Sequence, residues 1–455
     1  MKRNISAVAL VAILLSLVLS ACAVPAAAPT VDGGQEVDAQ GGETTLLVWD
    51  IWTREADSQV VDQLDQEFEA ANPGVKIDRV VKSFDDMKAT AQLALSTPEG
   101  PDVAQINQGE SDMVALVRAG LLADLTDYAA QYAWADRWDP SLVLRNSVKP
   151  DGSAYGEGSL YGMAPTAEFV GVFYNKDKFA AAGIEVPKTF AEFEAALAKL
   201  KEAGETPIAF GDLDGWPAIH TFSEAQGVFL GEEDPAYLDD FIYARGNVGF
   251  DNPANLKAAQ KLVEWVDAGY FTPDFLGVAM DDAFQQFSAG DAAMFLTGSW
   301  VSGDLAAGPN ADKMGFFLMP GSTEGARKPV VAGTSTAYTI RAGSEKKDLA
   351  AKYIDWMMSD RAMELFAGTG LVPVKGLPAD KVAEGTLFAD LIAAWDQVRS
   401  TNSIGHYLDW ATPTFYNTIT ASLQELLGKQ ITPEEFIAKN QADYDAWLVE
   451  KGVKQ

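Results

Sequence analysis

The sequence predicts an α/β fold in which mixed or parallel sheets are flanked by helices and followed by a helical C-terminal part. Short runs that are apolar on both faces alternate with amphipathic helical segments, which is typical of sheets covered by helices on both sides. From Leu349 onward the pattern is almost entirely helical. The 455 residues, 48% of them apolar, are enough for more than one packed domain.

The N-terminal residues have the layout of a secretory signal. Lys2 and Arg3 precede the apolar segment Ile5–Leu19, which is short for a membrane span. The motif Leu19-Ser20-Ala21-Cys22 resembles the bacterial lipobox, in which the cysteine receives a diacylglycerol and becomes the new N-terminus. Because Cys22 is the only cysteine, we predict a lipoprotein signal peptide over 1–21 and a lipid on Cys22. The alternative is an ordinary cleavage site beside a chance cysteine.

Residues 22–44 are predicted to form a flexible tether. Ala23–Gly42 is rich in Ala, Pro, Gly and Gln and has no helical or strand periodicity. Such a tether would hold a globular body away from the membrane surface. With Cys22 acylated, that body has no thiol, which excludes disulfides and thiolate chemistry.

The first elements of the body are predicted in the order strand, helix, strand, helix, strand. The first helix has Val60, Val61, Leu64 and Phe68 on one face and ends at Asn72-Pro73-Gly74. The other predicted elements of this part are the strands Leu46–Trp49, Val75–Val81 and Val103–Ile106 and the helix Asp85–Leu95.

The later elements continue the alternation and then become helical. The predicted strands are Val170–Tyr174, Pro207–Phe210, Ala292–Leu296 and Gly315–Met319. The predicted helices are Phe190–Ala203, Ala254–Ala268, Leu349–Met358, Arg361–Ala367, Phe388–Val398, Pro413–Leu427 and Pro433–Leu448. No repeat of fixed period is present.

Charge and composition exclude several classes of function. The net charge of −31 predicts that nucleic acid and anionic lipid are not partners. The two histidines, His220 and His406, are far apart, so neither a serine triad nor a zinc site can be assembled convincingly. We therefore expect no metal, no cofactor and no catalytic residue. A glycosidase needs only two facing carboxylates, and it remains the enzyme alternative.

Aromatic residues at predicted strand ends are more informative. Trp52, Trp216 and Trp300 follow strands, and Trp410 lies in the segment HYLDWATPTFY. In open α/β sheets, ligands bind beyond the carboxyl ends of the strands. Ring faces beside polar groups suit sugars, whose C–H faces stack on rings while their hydroxyls form hydrogen bonds. Core packing explains any single tryptophan; four at such positions predict a carbohydrate site.

Several motifs resemble one family. The most specific stretch is LYGMAPTAEFVGVFYNKDKFAAAGIEVPKTFAEFEAAL, residues 160–197, and the supporting stretches are GPDVAQINQGE, LVRAGLLADLTDY, AFQQFSAGDAAMFLTGSW, VVAGTSTAYTI and GTGLVPV. Over about Thr45 to the C-terminus, the chain resembles the extracytoplasmic solute-binding proteins of ABC importers. The match is to family 1, the carbohydrate-binding group that includes maltose-binding protein.

The resemblance implies a two-lobe periplasmic-binding-protein-like fold of type II, hinged around a central cleft. The N-terminal lobe would comprise 45–166 and 334–372, and the C-terminal lobe 167–333 and 373–455. The chain would cross between the lobes near Pro165–Val170, Val331–Thr336 and Val372–Lys375. Closure around a ligand would then be a hinge motion.

The implied function is that of a substrate-binding subunit of an ABC importer. It would capture a sugar or oligosaccharide outside the cytoplasmic membrane and deliver it to a permease, as a lipid-anchored monomer at the outer face of that membrane or in the periplasm. It would not be an enzyme. The alternatives are the same fold with a non-sugar solute, such as a polyamine or a phosphodiester, and a secreted lipoprotein glycosidase.

The resemblance also implies ligand contacts. Glu168 falls where the family places a ligand-bonding acid, and Trp300 falls on the stacking tryptophan. The C-terminal aromatic region contributes Trp410 or Phe415, and a separate loop contributes Trp216. The other implied contacts are Trp52, Thr53, Arg54, Asn107, Gln108, Glu110, Gly333, Thr334 and Ser335.

Overall fold

The computed structural model describes residues 43–234, 236–246 and 248–454. The predicted signal peptide 1–21, the lipid attachment at Cys22 and the tether as far as residue 42 lie outside the described residues. Within the described ranges, no helix is both long enough and apolar enough to cross a membrane.

Strands occur from the start of the described chain to its C-terminal third. They are β1 Thr44–Asp50, β2 Val75–Val81, β3 Val103–Ile106, β4 Ser147–Val148, β5 Ser159–Leu160, β6 Ala167–Asn175, β7 Thr206–Ala209, β8 Ala292–Gly298, β9 Met314–Phe317, β10 Val330–Thr334, β11 Ala337–Ile340 and β12 Ile404–Gly405.

Helices separate most of these strands and form most of the C-terminal part. They are α1 Glu55–Ala71, α2 Phe84–Leu95, α3 Ala115–Arg118, α4 Thr126–Gln131, α5 Pro140–Leu144, α6 Lys176–Ala181, α7 Phe190–Glu202, α8 Trp216–Glu233, α9 Tyr237–Ile242, α10 Pro253–Asp267, α11 Met280–Ala289, α12 Ser302–Ala307, α13 Lys347–Met357, α14 Asp360–Gly368, α15 Leu387–Ser400, α16 Phe415–Leu427 and α17 Pro433–Glu450.

The first lobe is built on a four-stranded sheet in the order β11-β3-β1-β2. β1 runs parallel to β2 and β3, and β11 runs antiparallel to β3. Helices α13 and α14 pack on α1, and the Trp356 Nε1 donates to the Leu64 carbonyl over 3.1 Å. Because β1 and β3 run parallel, their carboxyl ends lie at the same edge of this sheet.

The second lobe is built on a six-stranded sheet centred on β6. The order is β12-β10-β6-β8-β7, and β9 also pairs with β6. β6 is antiparallel to β8, β9 and β10, and β7 is parallel to β8. The sheet is therefore mixed, and its residues are buried nearly throughout, as the apolar runs predicted.

The three predicted crossing segments lie side by side. The Ser335 amide donates to the Thr166 carbonyl, and the Thr166 hydroxyl donates to the Ser335 hydroxyl, each over 2.9 Å. The Ala167 amide donates to the Val372 carbonyl over 2.8 Å, and Thr166 pairs with Pro373 in an isolated bridge. Only Ser335 and Thr336 separate β10 of the second sheet from β11 of the first.

Short polar side chains set the starts of several helices. The Ser83 hydroxyl accepts from the Asp86 amide at α2, and the Thr189 hydroxyl accepts from the Glu192 amide at α7. Thr432 and Glu435 form a capping box at α17. Each cap satisfies an amide that the first helical turn leaves without a backbone partner.

The predicted strands and helices occur in the predicted order, with bounds that differ by up to three residues, and β1 begins at Thr44, the last residue of the predicted tether. Two further differences lie close to the site. β9 ends at Phe317 and not at Met319. It pairs with β6 only from Val172 to Asn175, because β10 pairs with the same edge of β6 at Ala167–Phe169. Trp216, expected in a loop, is the first residue of α8. Gly215, with φ of 79°, and Pro217 in the first turn allow the helix to start there.

Candidate ligand-binding site

A cavity of about 280 Å³ opens between the two sheets. Residues just beyond the ends of β1 and β3 line one side, including Trp52 and Gln108. Glu168 of β6, the first turns of α8 and the turn after β8 line the other side. The crossing residues 334–336 form part of the wall, so both lobes and the segments joining them contact the same space.

Most of the predicted contacts meet in this cavity. Those in its wall are Trp52, Thr53, Arg54, Asn107, Gln108, Glu168, Trp216, Trp300, Thr334, Ser335 and Trp410. Three predicted residues are elsewhere: Glu110, Gly333 and Phe415.

Glu110 is buried in an ion-pair cluster beside the cavity. Its carboxylate is fully buried and accepts from Arg118 Nη2 over 2.8 Å and from Lys451 Nζ over 2.6 Å. The cause is Gly109, whose φ of 93° turns the chain after Gln108. A Cβ on Gly109 would lie 2.6 Å from the Trp410 Cα, so only glycine fits this turn.

Phe415 and Gly333 also differ from the prediction. Phe415 is fully buried, with its ring 5.5 Å from those of Phe241 and Phe250, because it starts α16 on the face that packs inward. The next residue, Tyr416, lines the cavity in its place. Gly333, whose backbone was the expected contact, pairs with Glu168 inside the sheet and does not line the cavity.

Rings form a continuous wall on the second lobe. The His220 ring centre lies 5.2 Å from that of Trp216, 5.5 Å from that of Trp300 and 5.6 Å from that of Tyr407. Tyr407 lies 5.0 Å from Trp410. Trp216 and Trp300 are partly exposed, whereas Trp410 is 2% exposed. Partly exposed indoles beside a cavity are suited to stacking on an apolar ligand face.

Trp300 is seated on a glycine. It lies in the 3₁₀ turn Ser299–Val301, directly after β8. Gly298 has φ of −82°, so its backbone is extended and could be adopted by any residue. A Cβ at Gly298 would lie 1.7 Å from Trp300 Cζ3. Gly298 therefore allows the indole to rest on the backbone.

Two polar groups on this side have no partner in the described chain. Glu168 is partly exposed to the cavity and has no hydrogen bond or ion pair to any described residue; burial raises its pKa to about 8. The buried Tyr407 hydroxyl is also without a protein partner in the part of the chain that the structure describes. Burial lowers the pKa of His220 to about 3, so its ring is neutral.

The first-lobe side is more rigidly held. Trp52 stacks on Phe366 with ring centres 4.9 Å apart, and its Nε1 donates to the Tyr338 hydroxyl over 2.7 Å. Gln108 Nε2 donates to the Thr334 hydroxyl over 3.1 Å. Trp52 is therefore both a core residue, 8% exposed, and a wall residue.

Arg54 joins the lobes at the rim. Its guanidinium pairs with Asp304 of α12 and lies 5.7 Å from the centre of the Phe284 ring of α11. Arg54 precedes α1 in the first lobe, whereas both partners belong to the second. In the described conformation, its charge is thus already compensated.

Sequence reasoning missed part of the wall. The additional residues are Ile51, Asp57, Ser83, Phe84, Asp85, Gln105, Ile219, His220, Thr336, Leu371, Tyr407, Asp409 and Tyr416. Ser83 and Phe84 follow the end of β2, so the strand-end rule could have found them. Tyr407 and Asp409 flank Trp410 in sequence, which was a second available signal. Among the described residues, no group of three or more potential metal-binding side chains was found.

The raised pKa of Glu168 predicts a pH effect on stability. The folded chain keeps this carboxyl protonated up to about pH 8, whereas in the unfolded chain its pKa is near 4.5. Its stabilising contribution is therefore complete below pH 4.5 and is lost as pH rises towards 8. Denaturant unfolding measures this effect. Between pH 5 and pH 8.5, the free energy of unfolding of the wild type should fall by at least about 1 kcal/mol more than that of Glu168→Gln.

The control for this pH comparison is Glu185→Gln, which changes an exposed acid. It should retain the pH dependence of the wild type. Identical pH dependence for wild type and Glu168→Gln would contradict the prediction.

Two lobes around a ligand-sized cavity, with the connecting segments in its wall, define a binding protein of the hinged two-lobe class. Residues 52–364 match the family model for bacterial extracellular solute-binding proteins. The chain belongs to this family.

Named relatives match most of the chain, and a solved structure shares its fold. The chain is 25% identical over 328 residues to the multiple sugar-binding protein of Streptococcus mutans, covering 70% of this chain and 72% of that protein. It is 28% identical over 352 residues to the diacetylchitobiose binding protein DasA of Streptomyces coelicolor, covering 76% of each. A solved chitin oligosaccharide binding protein has the same fold, with a TM-score of 0.72, 21% identity and coverage of 89% of this chain and 99% of that one.

Proposed function

We propose that this protein is the substrate-binding subunit of an ABC importer and captures a sugar or oligosaccharide outside the cytoplasmic membrane. The observation that carries the proposal is the pairing of partly exposed indoles, Trp216 and Trp300, with the carboxyl group of Glu168 in one cavity. Sugars present apolar C–H faces and many hydroxyls, and such a wall suits both. Relatives named for binding sugars support this choice.

The proposed contacts divide into stacking and hydrogen-bonding groups. Trp216 and Trp300 would stack on the sugar ring, with Trp410 behind them. Glu168 and Asn107 would accept hydrogen bonds from sugar hydroxyls or donate hydrogen bonds to them. The crossing segments would add contacts from Thr334, Ser335 and Thr336. In this proposal the protein binds its ligand without chemical change.

The binding test is a titration of intrinsic tryptophan fluorescence with a panel of mono- and oligosaccharides. Trp216 and Trp300 lie in the wall, so a bound sugar should change their emission. Product analysis of the same mixtures tests for glycan hydrolysis. Saturable binding without turnover is expected; absence of binding to every saccharide would reject the proposal, and turnover would favour the glycosidase.

We further propose that the lobes comprise 45–166 with 334–372 and 167–333 with 373–455, and that they close on the ligand. The three crossing segments would bend together because they are hydrogen-bonded to one another. Small-angle scattering with a saturating sugar should give a smaller radius of gyration than without it. An unchanged radius, with binding verified by fluorescence, would contradict closure.

Membrane anchoring is proposed from the sequence alone. We propose that Cys22 carries the lipid, because the lipobox-like motif and the tether precede the folded body. In cells, Cys22→Ala should move the protein from the membrane to the soluble fraction while the sugar affinity stays unchanged. A Cys22→Ala protein that still fractionates entirely with membranes would contradict this assignment.

We propose the remaining properties from the resemblance to the family. The protein would deliver its ligand to membrane permease subunits and act as a monomer. Its location would be the outer face of the cytoplasmic membrane or the periplasm. The family is described as one of bacterial extracellular proteins, which supports a location outside the cytoplasm.

A further inference from the structure

We infer that the ligand of this cavity is an amino sugar with a free, protonated amine, an inference that rests on the proposed function. The observation behind it is an imbalance of charge in the wall. Acidic side chains line the cavity from both lobes, and the one basic side chain among the described wall residues already has an acidic partner.

The acids come from four separate elements. Asp57 lies in α1, Asp85 in α2, Glu168 in β6 and Asp409 in the 3₁₀ turn before α16. The single basic residue of the wall is Arg54, which pairs with Asp304 outside the wall. The described wall therefore holds four acidic groups and Arg54, which partly offsets Asp57. Lys88, outside the wall and paired with Asp112, partly offsets Asp85 and Asp409.

Two of these acids have an oxygen without a partner. Asp57 is 5% exposed, and its Oδ1 has no hydrogen bond within the described chain. Glu168 has neither a hydrogen bond nor an ion pair there. The buried hydroxyl of Tyr407, another wall residue, has no partner in the described chain either. The Glu168 carboxyl thus faces the cavity without a protein partner, and the unpartnered oxygens of Asp57 and Tyr407 are buried in the same wall.

An ammonium group fits these acceptors better than a hydroxyl does. It has three donors and no acceptor, so it can satisfy several oxygens at once. In the unliganded protein the Glu168 carboxyl is protonated at neutral pH, and the opposite charge of a bound ammonium lowers its pKa, so that Glu168 releases its proton and binds the amine as a carboxylate. The indole faces of Trp216 and Trp300 attract cations as well as apolar sugar faces. A uronate or phosphate would face like charge.

The test compares sugars of matched length and different charge by calorimetry on the purified protein. The probes are chitosan oligosaccharides with free amines, their N-acetylated counterparts, cello-oligosaccharides and oligogalacturonides, at a pH where the amine is protonated. We expect the amine to tighten binding about tenfold or more over the N-acetylated form, the scale of a hydrogen bond to a charged group. The oligogalacturonides should bind most weakly, and added salt should reduce the advantage of the amine.

Variants identify the groups responsible. Glu168→Gln and Asp409→Asn, made separately so that one remains if the other does not fold, should each reduce the preference for the amine. The matched control Asp127→Asn, which changes an exposed acid outside the wall, should retain it.

The outcomes separate the inference from the proposed function. Neutral oligosaccharides that bind as tightly as the free amines would overturn the inference and leave sugar capture intact. A preference for the amine that survives both wall variants would overturn the assignment to these acids. Failure of every saccharide, including those with free amines, would overturn both, and binding of spermidine in that case would identify a polyamine-binding protein.

Discussion

Trp300→Ala should weaken sugar binding by about 2 kcal/mol or more, roughly thirtyfold in Kd, while costing little stability. The side chain is partly exposed to the cavity, and its ring contacts are mainly with other wall residues, Trp216 and His220. Truncation therefore removes a stacking surface without opening a closed core cavity. Calorimetric affinity and the melting temperature without ligand measure the two effects separately.

The matched control is Trp265→Ala. Trp265 is 1% exposed and packs against Phe193 and Phe271 in the core of the second lobe. Its truncation should cost about 3–5 kcal/mol of stability and leave the affinity of the folded fraction unchanged. If Trp300→Ala instead behaves like this control, with a large drop in melting temperature and intact affinity, Trp300 is a core residue and the proposed stacking role is wrong.

Gly298→Ala should have a comparable effect on binding for a steric reason. The added Cβ would lie 1.7 Å from Trp300 Cζ3 and 2.1 Å from Cε3, so the indole must leave its position. The backbone φ of −82° accommodates alanine, which leaves the clash as the cause. We expect a loss of about 1–3 kcal/mol of stability from overpacking and at least about a tenfold loss of affinity.

A double mutant tests this explanation. In Gly298→Ala combined with Trp300→Ala, the clash is absent, so most of the stability should return while affinity stays at the level of Trp300→Ala. Gly277→Ala is the control, since a Cβ there meets no atom within 4 Å. Additive stability losses in the double mutant would show that Gly298 has another role.

Local signals in the sequence were sufficient to predict the α/β class and most of its strands and helices, whereas the two-lobe arrangement was predicted from the resemblance to the family. Apolar runs and helix stops mark β2 and β3 at the bounds that the structure has. The strand-end rule also located Trp300, because its glycine and its strand are adjacent to it in sequence. These features depend on near neighbours along the chain.

The rest of the site depends on contacts between distant residues. Glu110 follows Gln108 closely in sequence, yet Lys451, far along the chain, holds its carboxylate away from the cavity. Phe415 and Tyr416 are consecutive, and only the packing of α16 on its neighbours decides which one lines the cavity. Asp57 lies in the amphipathic helix α1, whose sequence pattern does not single out this residue. Such assignments require the tertiary structure.

The hydrogen bonds among the crossing segments have a consequence for engineering. Thr334, Ser335 and Thr336 belong both to the wall and to the link between the sheets, and Glu168 stands two residues from Thr166. A substitution that retunes ligand choice at these positions also changes the resistance of the link to bending. A reporter built from this protein should therefore vary its selectivity at Trp216 or Tyr416, because these wall residues do not belong to the crossing segments.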